Sequence, residues 1–254
     1  DMRKLMIIAL SSALVLILAL PTFSAIDMKN ALGIWKMDEG SGKTVKDASG
    51  TGHDGEITGS VKWVDGGKDG KALEFSGGYV KVPHKEDLNL ETFTMTGWLK
   101  VPAVVAPYQM FMGKEVYPNR NYSIWLLPDK ANVGTAVPAD TQIASQAVVV
   151  DGKWHHVAAT YDKKNLKIFV DGEPSGQMVL TGKLSTCDSA FMIGAQPPGG
   201  AGPLQGIIDE VSLFKVGLAD EDVKKIFNDG LKSLVSPVES NGKLAATWGA
   251  IRSK

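Results

Sequence analysis

Between about residues 30 and 215, apolar and polar positions alternate in short runs separated by clusters of Gly, Asp, Asn and Pro. That period of two predicts half-buried β-strands joined by tight turns. In FTMTGWLK, Phe93, Met95 and Leu99 take one face and Thr94, Thr96, Trp98 and Lys100 the other. In KALEFSGGYVKVP, Leu73 and Phe75 share a face, and Val80 and Val82 share another after an expected Gly77-Gly78 turn. WHHVAATYD and LKIFVDGEPSGQMVL predict a further pair of strands and a turn, Asp171-Gly172 supplying the positive φ values of a tight hairpin. GIIDEVSLF closes the series, with Ile207, Asp209, Val211 and Leu213 expected on one face and Ile208, Glu210, Ser212 and Phe214 on the other. A single helix follows over LADEDVKKIFNDG: three acids sit in its first turn, Val223, Ile226 and Phe227 recur at helical spacing, and Gly230 ends it. The fold class is therefore all-β, an antiparallel two-sheet sandwich with one short C-terminal helix.

The ends of the chain break this pattern. Arg3 and Lys4 precede the apolar run Leu5 to Leu20, after which Pro21 and the small residues of TFSA read as a secretory signal over 1–25, with cleavage after Ser24 or Ala25. The run falls short of the roughly 20 residues that span a bilayer core, which favours a cleaved leader, with an uncleaved amino-terminal anchor as the alternative; no membrane span is expected once the leader is removed. Residues 231–254 read as a linker and short tail, with Leu244, Trp248 and Ile251 as its apolar positions.

Composition narrows the function classes. The chain has 254 residues, 28 of them Gly, and 27 basic against 28 acidic side chains. Near-zero net charge without a basic run lacks the electrostatic source that nucleic-acid binding requires. Cys187 is the single cysteine, so no disulfide forms within the chain. Oligomeric state leaves no mark in the sequence.

The motifs have a familiar order. ALGIWKMDEGSGKTVKDASGTGHDG, GKALEFSGGYVKVP, FTMTGWLK, DGKWHHVAATYD, LKIFVDG and GIIDEVSLFKVGLADEDVKKIF together resemble the bacterial laminin-G-like, concanavalin A-like jelly-roll domain over about residues 30–230. The resemblance implies two antiparallel sheets face to face, a partly covered concave side and often a calcium ion. It implies no single function, because the fold serves lectins, adhesion modules, enzyme appendages and hydrolases alike.

A carboxylate on an apolar face needs a partner. For Asp209 that partner is a hard cation or the N–H groups of an adjacent loop. KDASGTGHDG places Asp47, Ser49, Thr51 and His53 at alternate positions among glycines that let carbonyls converge, as calcium requires. The resemblance implies a calcium site of Asp209 and Asp47 with the carbonyls around Thr51 and His53, and Asp38 as a further candidate. The alternative is that Asp209 accepts backbone hydrogen bonds and Asp47 caps its own turn.

Catalytic patterns are absent. No ExDxE places two carboxylates on one strand face, and neither GxSxG nor HExxH occurs. Asp38-Glu39, Glu86-Asp87 and Asp209-Glu210 are adjacent and would diverge in a strand, as would His155 and His156. Sugar recognition instead needs aromatic faces and planar polar groups. PYQMFMGKEVYPNRNYSIWLL offers Tyr108, Tyr117, Asn119, Arg120, Asn121 and Tyr122 near loops, with Tyr122 and Trp125 expected to pack in the following strand. The reading is a secreted, non-catalytic, calcium-stabilised module binding polysaccharide or glycoconjugate, with a structural or adhesive protein that contacts extracellular proteins as the alternative and a glycoside hydrolase of the same fold as the remoter one.

Overall fold

The computed structural model describes residues 26–137 and 139–235, so the expected leader and most of the tail lie outside the described residues. Fourteen strands run in chain order. The first seven are β1 (Ala31–Trp35), β2 (Thr44–Val45), β3 (Gly55–Asp65), β4 (Lys71–Val82), β5 (Phe93–Lys100), β6 (Gln109–Val116) and β7 (Asn119–Leu126). The remainder are β8 (Lys130–Ala136), β9 (Asp140–Val148), β10 (Trp154–Tyr161), β11 (Asn165–Val170), β12 (Glu173–Val179), β13 (Phe191–Ile193) and β14 (Gln205–Phe214). Helices α1 (Asp220–Asp229) and α2 (Lys232–Val235) follow.

Among the described residues these strands pair antiparallel, along the path β12-β11-β10-β5-β14-β4-β13-β6-β7-β8-β9. The N-terminal half of β4 pairs with β14 and its last residues with β13, so this strand passes from one layer of the sandwich to the other. Gly77 and Gly78 lie inside β4 and make no turn, contrary to expectation. Ser76 and Gly77 stand opposite the single Ser60 of β3, a bulge in which Gly77 takes φ 111°. That extra residue reverses the alternation, which is why both Leu73/Phe75 and Val80/Val82 enter the one core. Between the layers Phe93, Met95 and Leu99 pack with Trp35, Phe111, Tyr122, Ile124, Tyr161 and Phe191.

A second bulge corrects the expected faces of the last strand. Asp209 pairs with Trp98 but Ser212 pairs with Thr96, leaving one residue extra, and Glu210 adopts φ 50°. Ile208 therefore joins Val211 and Leu213 in the core, while Asp209 is turned away from it. The segment from Trp154 to Val179 forms three strands, with Asp171 (φ 51°) and Gly172 (φ 78°) in the β11–β12 hairpin.

Helix α1 spans the expected residues and ends at Gly230, φ 68°. Its Val223 packs on Ala158 and Phe169, and Ile226 on Ile34 and Phe214, on the outer side of the layer containing β10, β5 and β14. Phe227 stacks on Trp98 at 5.4 Å between centroids, and the His156 ring lies 5.3 Å from the same indole. Ile26 and Leu231 also belong to this cluster, and α2 adds a helical turn after Gly230.

Candidate functional site

The outer side of the β6–β9 layer carries an open cleft of about 520 Å³. Along β7 the alternation sends Tyr122, Ile124 and Leu126 into the core, which leaves Ser123 and Trp125 facing outward. Lys114 pairs with Tyr122 whereas Glu115 pairs with Arg120, so Asn121 is an inserted residue and Arg120 arrives on the same side as Trp125. Gly134 of β8 permits this approach, because a Cβ there would lie 2.7 Å from both Arg120 Nη1 and the Trp125 ring.

Arg120 is the centre of the cleft. Its Nε donates to Glu115 Oε2 at 2.7 Å and its Nη1 to Asp140 Oδ1 at 2.8 Å. The guanidinium carbon lies 4.5 Å from the centroid of Trp125 and 5.7 Å from that of Tyr117, a cation held between two π faces. Glu115 is fully buried and also accepts from Ser123 Oγ and Gln196 Nε2, so both its oxygens are engaged. The Tyr108 hydroxyl donates to Gln196 Oε1. Burial first, then the Glu115 charge, raises the Tyr108 phenol above its ordinary pKa and keeps it a donor. Tyr117 stands 64% exposed at the mouth, and Met110, Leu127 and Gln142 complete the walls.

Three of the expected ligand-binding residues, Tyr108, Tyr117 and Arg120, thus converge. Two others do not. Asn119 is exposed at the start of β7 and does not line the cleft. Asn121, as the inserted residue of the bulge, is buried: its Oδ1 accepts from Leu90 N at 3.0 Å, and its Nδ2 donates to the carbonyls of Leu90 and Ser185 at 3.1 and 2.7 Å. Trp125, expected to pack within its strand, is instead a wall. Glu115, Gln142 and Gln196 were missed. Gln196 lies 81 positions from Glu115, and no local pattern links them.

The residues expected to share a calcium ion fall into separate networks. Asp209 Oδ2 accepts from Lys68 N and Asp69 N at 2.7 and 3.1 Å, and its Oδ1 from Glu210 N at 2.8 Å. Burial pushes its pKa up to about 8 against the pull of these amides. Asp47 Oδ1 accepts from Ile34 N and Ser49 N, and its Oδ2 from Thr51 Oγ1 and His53 N. The His53 carbonyl accepts the Trp35 indole N–H, and its ring nitrogens face Thr51 Oγ1 at 2.7 Å and Asp87 Oδ1 at 3.0 Å. Asp38 accepts from Lys71 N. Donor hydrogens already occupy the lone pairs a cation would take, and the carboxylates of Asp47, Asp209 and Asp38 are each held in a separate network, so the five residues do not fit one shared ion. A thermal melt in chelator is expected to keep the midpoint found with added calcium; a fall of several degrees would show an ion bound to the native state.

Among the described residues, His84, Glu86 and Asp188 are the one group whose three ligand atoms lie within 4.8 Å of one another. Lys114 Nζ sits 3.1 Å from His84 Nδ1 and donates to the Ser189 carbonyl at 2.8 Å.

The sequence of residues 75–224 matches the family model described as Concanavalin A-like lectin/glucanases superfamily, a laminin-G type. No curated protein matches the chain. Among solved structures, the binding domain of Paraclostridial Mosquitocidal Protein 1 superposes with TM-score 0.66 at 17% identity, covering 80% of this chain and 52% of that one. A botulinum neurotoxin type C structure, described for cell entry through two ganglioside molecules, gives TM-score 0.60 at 17% identity, covering 80% and 51%. Domain 4 of AbnA, an extracellular arabinanase from Geobacillus stearothermophilus solved with arabinotriose, gives 0.59 at 20% identity, covering 78% and 98%. At these identities the likeness is one of fold. The chain spans about half the length of the two toxin chains and nearly all of the arabinanase domain.

Proposed function

The chain belongs to the concanavalin A-like lectin/glucanase superfamily, and on that premise we propose that it is a non-catalytic module that binds carbohydrate outside the cell through the Arg120 cleft. The observation that carries the reading is the cleft itself: the aromatic residues Tyr108, Tyr117 and Trp125 line it together with the planar groups of Arg120, Gln142 and Gln196. Pyranose and furanose rings carry apolar C–H faces edged by hydroxyls, and such walls answer both features. A pre-formed network costs little ordering on binding, because Glu115 and Asp140 already fix the guanidinium. The solved arabinanase domain with arabinotriose and the ganglioside-dependent toxin support a sugar-binding use of the fold.

Hydrolysis is disfavoured by the same contacts. A glycosidase needs one carboxyl free to give a proton and a second free to attack or to activate water. Glu115 has both oxygens occupied, and Asp140 is tied to the same Arg120.

Tyr117→Ala tests the reading cleanly, because the ring is exposed and its loss costs the fold little. On a glycan array, followed by titration with the best ligand, the variant is expected to bind about tenfold more weakly, the equivalent of about 1.4 kcal/mol, at an unchanged melting midpoint. Equal affinity of variant and wild type would place the sugar elsewhere.

A further inference from the structure

We propose that this cleft selects neutral sugars and rejects anionic ones, with Glu115 and Asp140 as the residues that impose the choice. The inference rests on the carbohydrate reading above and adds the class of sugar. Among the described residues, Arg120 is the only cation lining the cleft, and Glu115 is the only other charged residue among its walls. Recognition of a sialic or uronic acid carboxylate by arginine uses the planar fork, two parallel N–H bonds to one carboxylate. Here Nε is taken by Glu115 and Nη1 contributes a bond to Asp140, so the charge is already matched by two carboxylates. One cation against two anions leaves the triad formally negative. An incoming carboxylate would meet like charge in a partly desolvated site, where repulsion is stronger than in open water.

Hydroxyls face no such obstacle. A guanidinium carries five N–H groups, and the two donated internally leave three for neutral oxygen acceptors. Gln142 and Gln196 add amide groups without charge. The guanidinium also lies over the Trp125 ring at 4.5 Å and near that of Tyr117 at 5.7 Å, contacts it would lose on leaving its carboxylates.

Calorimetric titration of the protein with matched pairs tests this: lactose against sialyllactose, and arabinan against polygalacturonate. The neutral member of a recognised pair is expected to bind at least tenfold more tightly. Asp140→Asn removes one carboxylate while keeping the Glu115 pair, and is expected to narrow the ratio of neutral to anionic affinity several-fold. Raising salt from about 20 to about 500 mM is expected to narrow it in the wild type as well, through screening. Tighter or equal binding of the carboxylate-bearing member overturns the inference, as does a ratio unmoved by both Asp140→Asn and salt. Failure of both members of every pair would overturn the carbohydrate reading beneath it.

Discussion

Arg120→Ala is expected to lower the melting midpoint by roughly 10 °C, since breaking a buried ion pair costs about 3–5 kcal/mol and a domain of this size shifts about 2–4 °C per kcal/mol. The loss comes less from the missing bond than from what is left. Glu115 would remain fully buried and charged, keeping only the Ser123 hydroxyl and the Gln196 amide as donors. The side chain also fills the space between Trp125 and Tyr117, so truncation opens a void against both rings. Glu115→Gln combined with Arg120→Ala removes the orphaned charge and is expected to regain most of the lost midpoint. Differential scanning calorimetry of the three proteins checks this. An Arg120→Ala midpoint within a degree or two of wild type would mean that Glu115 is not sealed from water.

Acidification is expected to destabilise the protein through His156. Its ring is fully buried between Trp98 and Phe227, and neither ring nitrogen has a partner among the described residues. Burial, helped by the Lys68 charge and opposed by Asp171, lowers its pKa from 6.5 to about 4. The unfolded chain therefore takes up a proton near pH 6.5 that the folded one refuses until near pH 4. The contribution to stability is complete above pH 6.5, falls across that window and is flat below it, an amplitude of about 3 kcal/mol. Asp209 works in the opposite direction. Its raised pKa means that its contribution is complete below 3.8 and is lost as pH rises toward 8. The net curve mixes the two, so the informative quantity is the difference between wild type and His156→Leu. That difference is expected to shift by about 3 kcal/mol in favour of the variant between pH 6.5 and pH 4. Parallel curves across the window would show that the imidazole titrates normally and that α1 does not seal it.

Much of the architecture is legible in the sequence because alternation reports which side chains are buried. Phe93, Met95 and Leu99 fill the core as their spacing predicts, Asp171-Gly172 makes its hairpin, and α1 starts and stops where its acids and Gly230 mark. The wrongly expected faces share one cause. At Gly77, Glu210 and Asn121 an inserted residue reverses the inside-outside order of everything beyond it, and alternation read straight through a bulge gives the wrong face. This is how Asp209 was expected beside Val211; Asn121, expected at the surface because it lies near a loop, is instead the inserted residue and turns inward. The rest of the cleft was invisible for a different reason. Asp140, Gln142 and Gln196 reach Arg120 and Glu115 only through pairing of strands and loops distant in sequence. The early loop misled through chemistry, since Asp47, Thr51 and His53 can gather around a cation or around one another. The hydrogen bonds of Asp47 to Ile34, Ser49, Thr51 and His53 complete the loop without one.

The most direct test of the central claim is an amide and side-chain NMR titration of the protein with the tightest neutral oligosaccharide found on the array. Saturable shifts confined to Tyr108, Met110, Tyr117, the Trp125 indole and Gln142 are predicted, with α1 and Trp98 unmoved. Shifts centred on α1 and Trp98, or on the Asp47 loop, with the Trp125 indole unchanged, would contradict the assignment of the cleft as the sugar site.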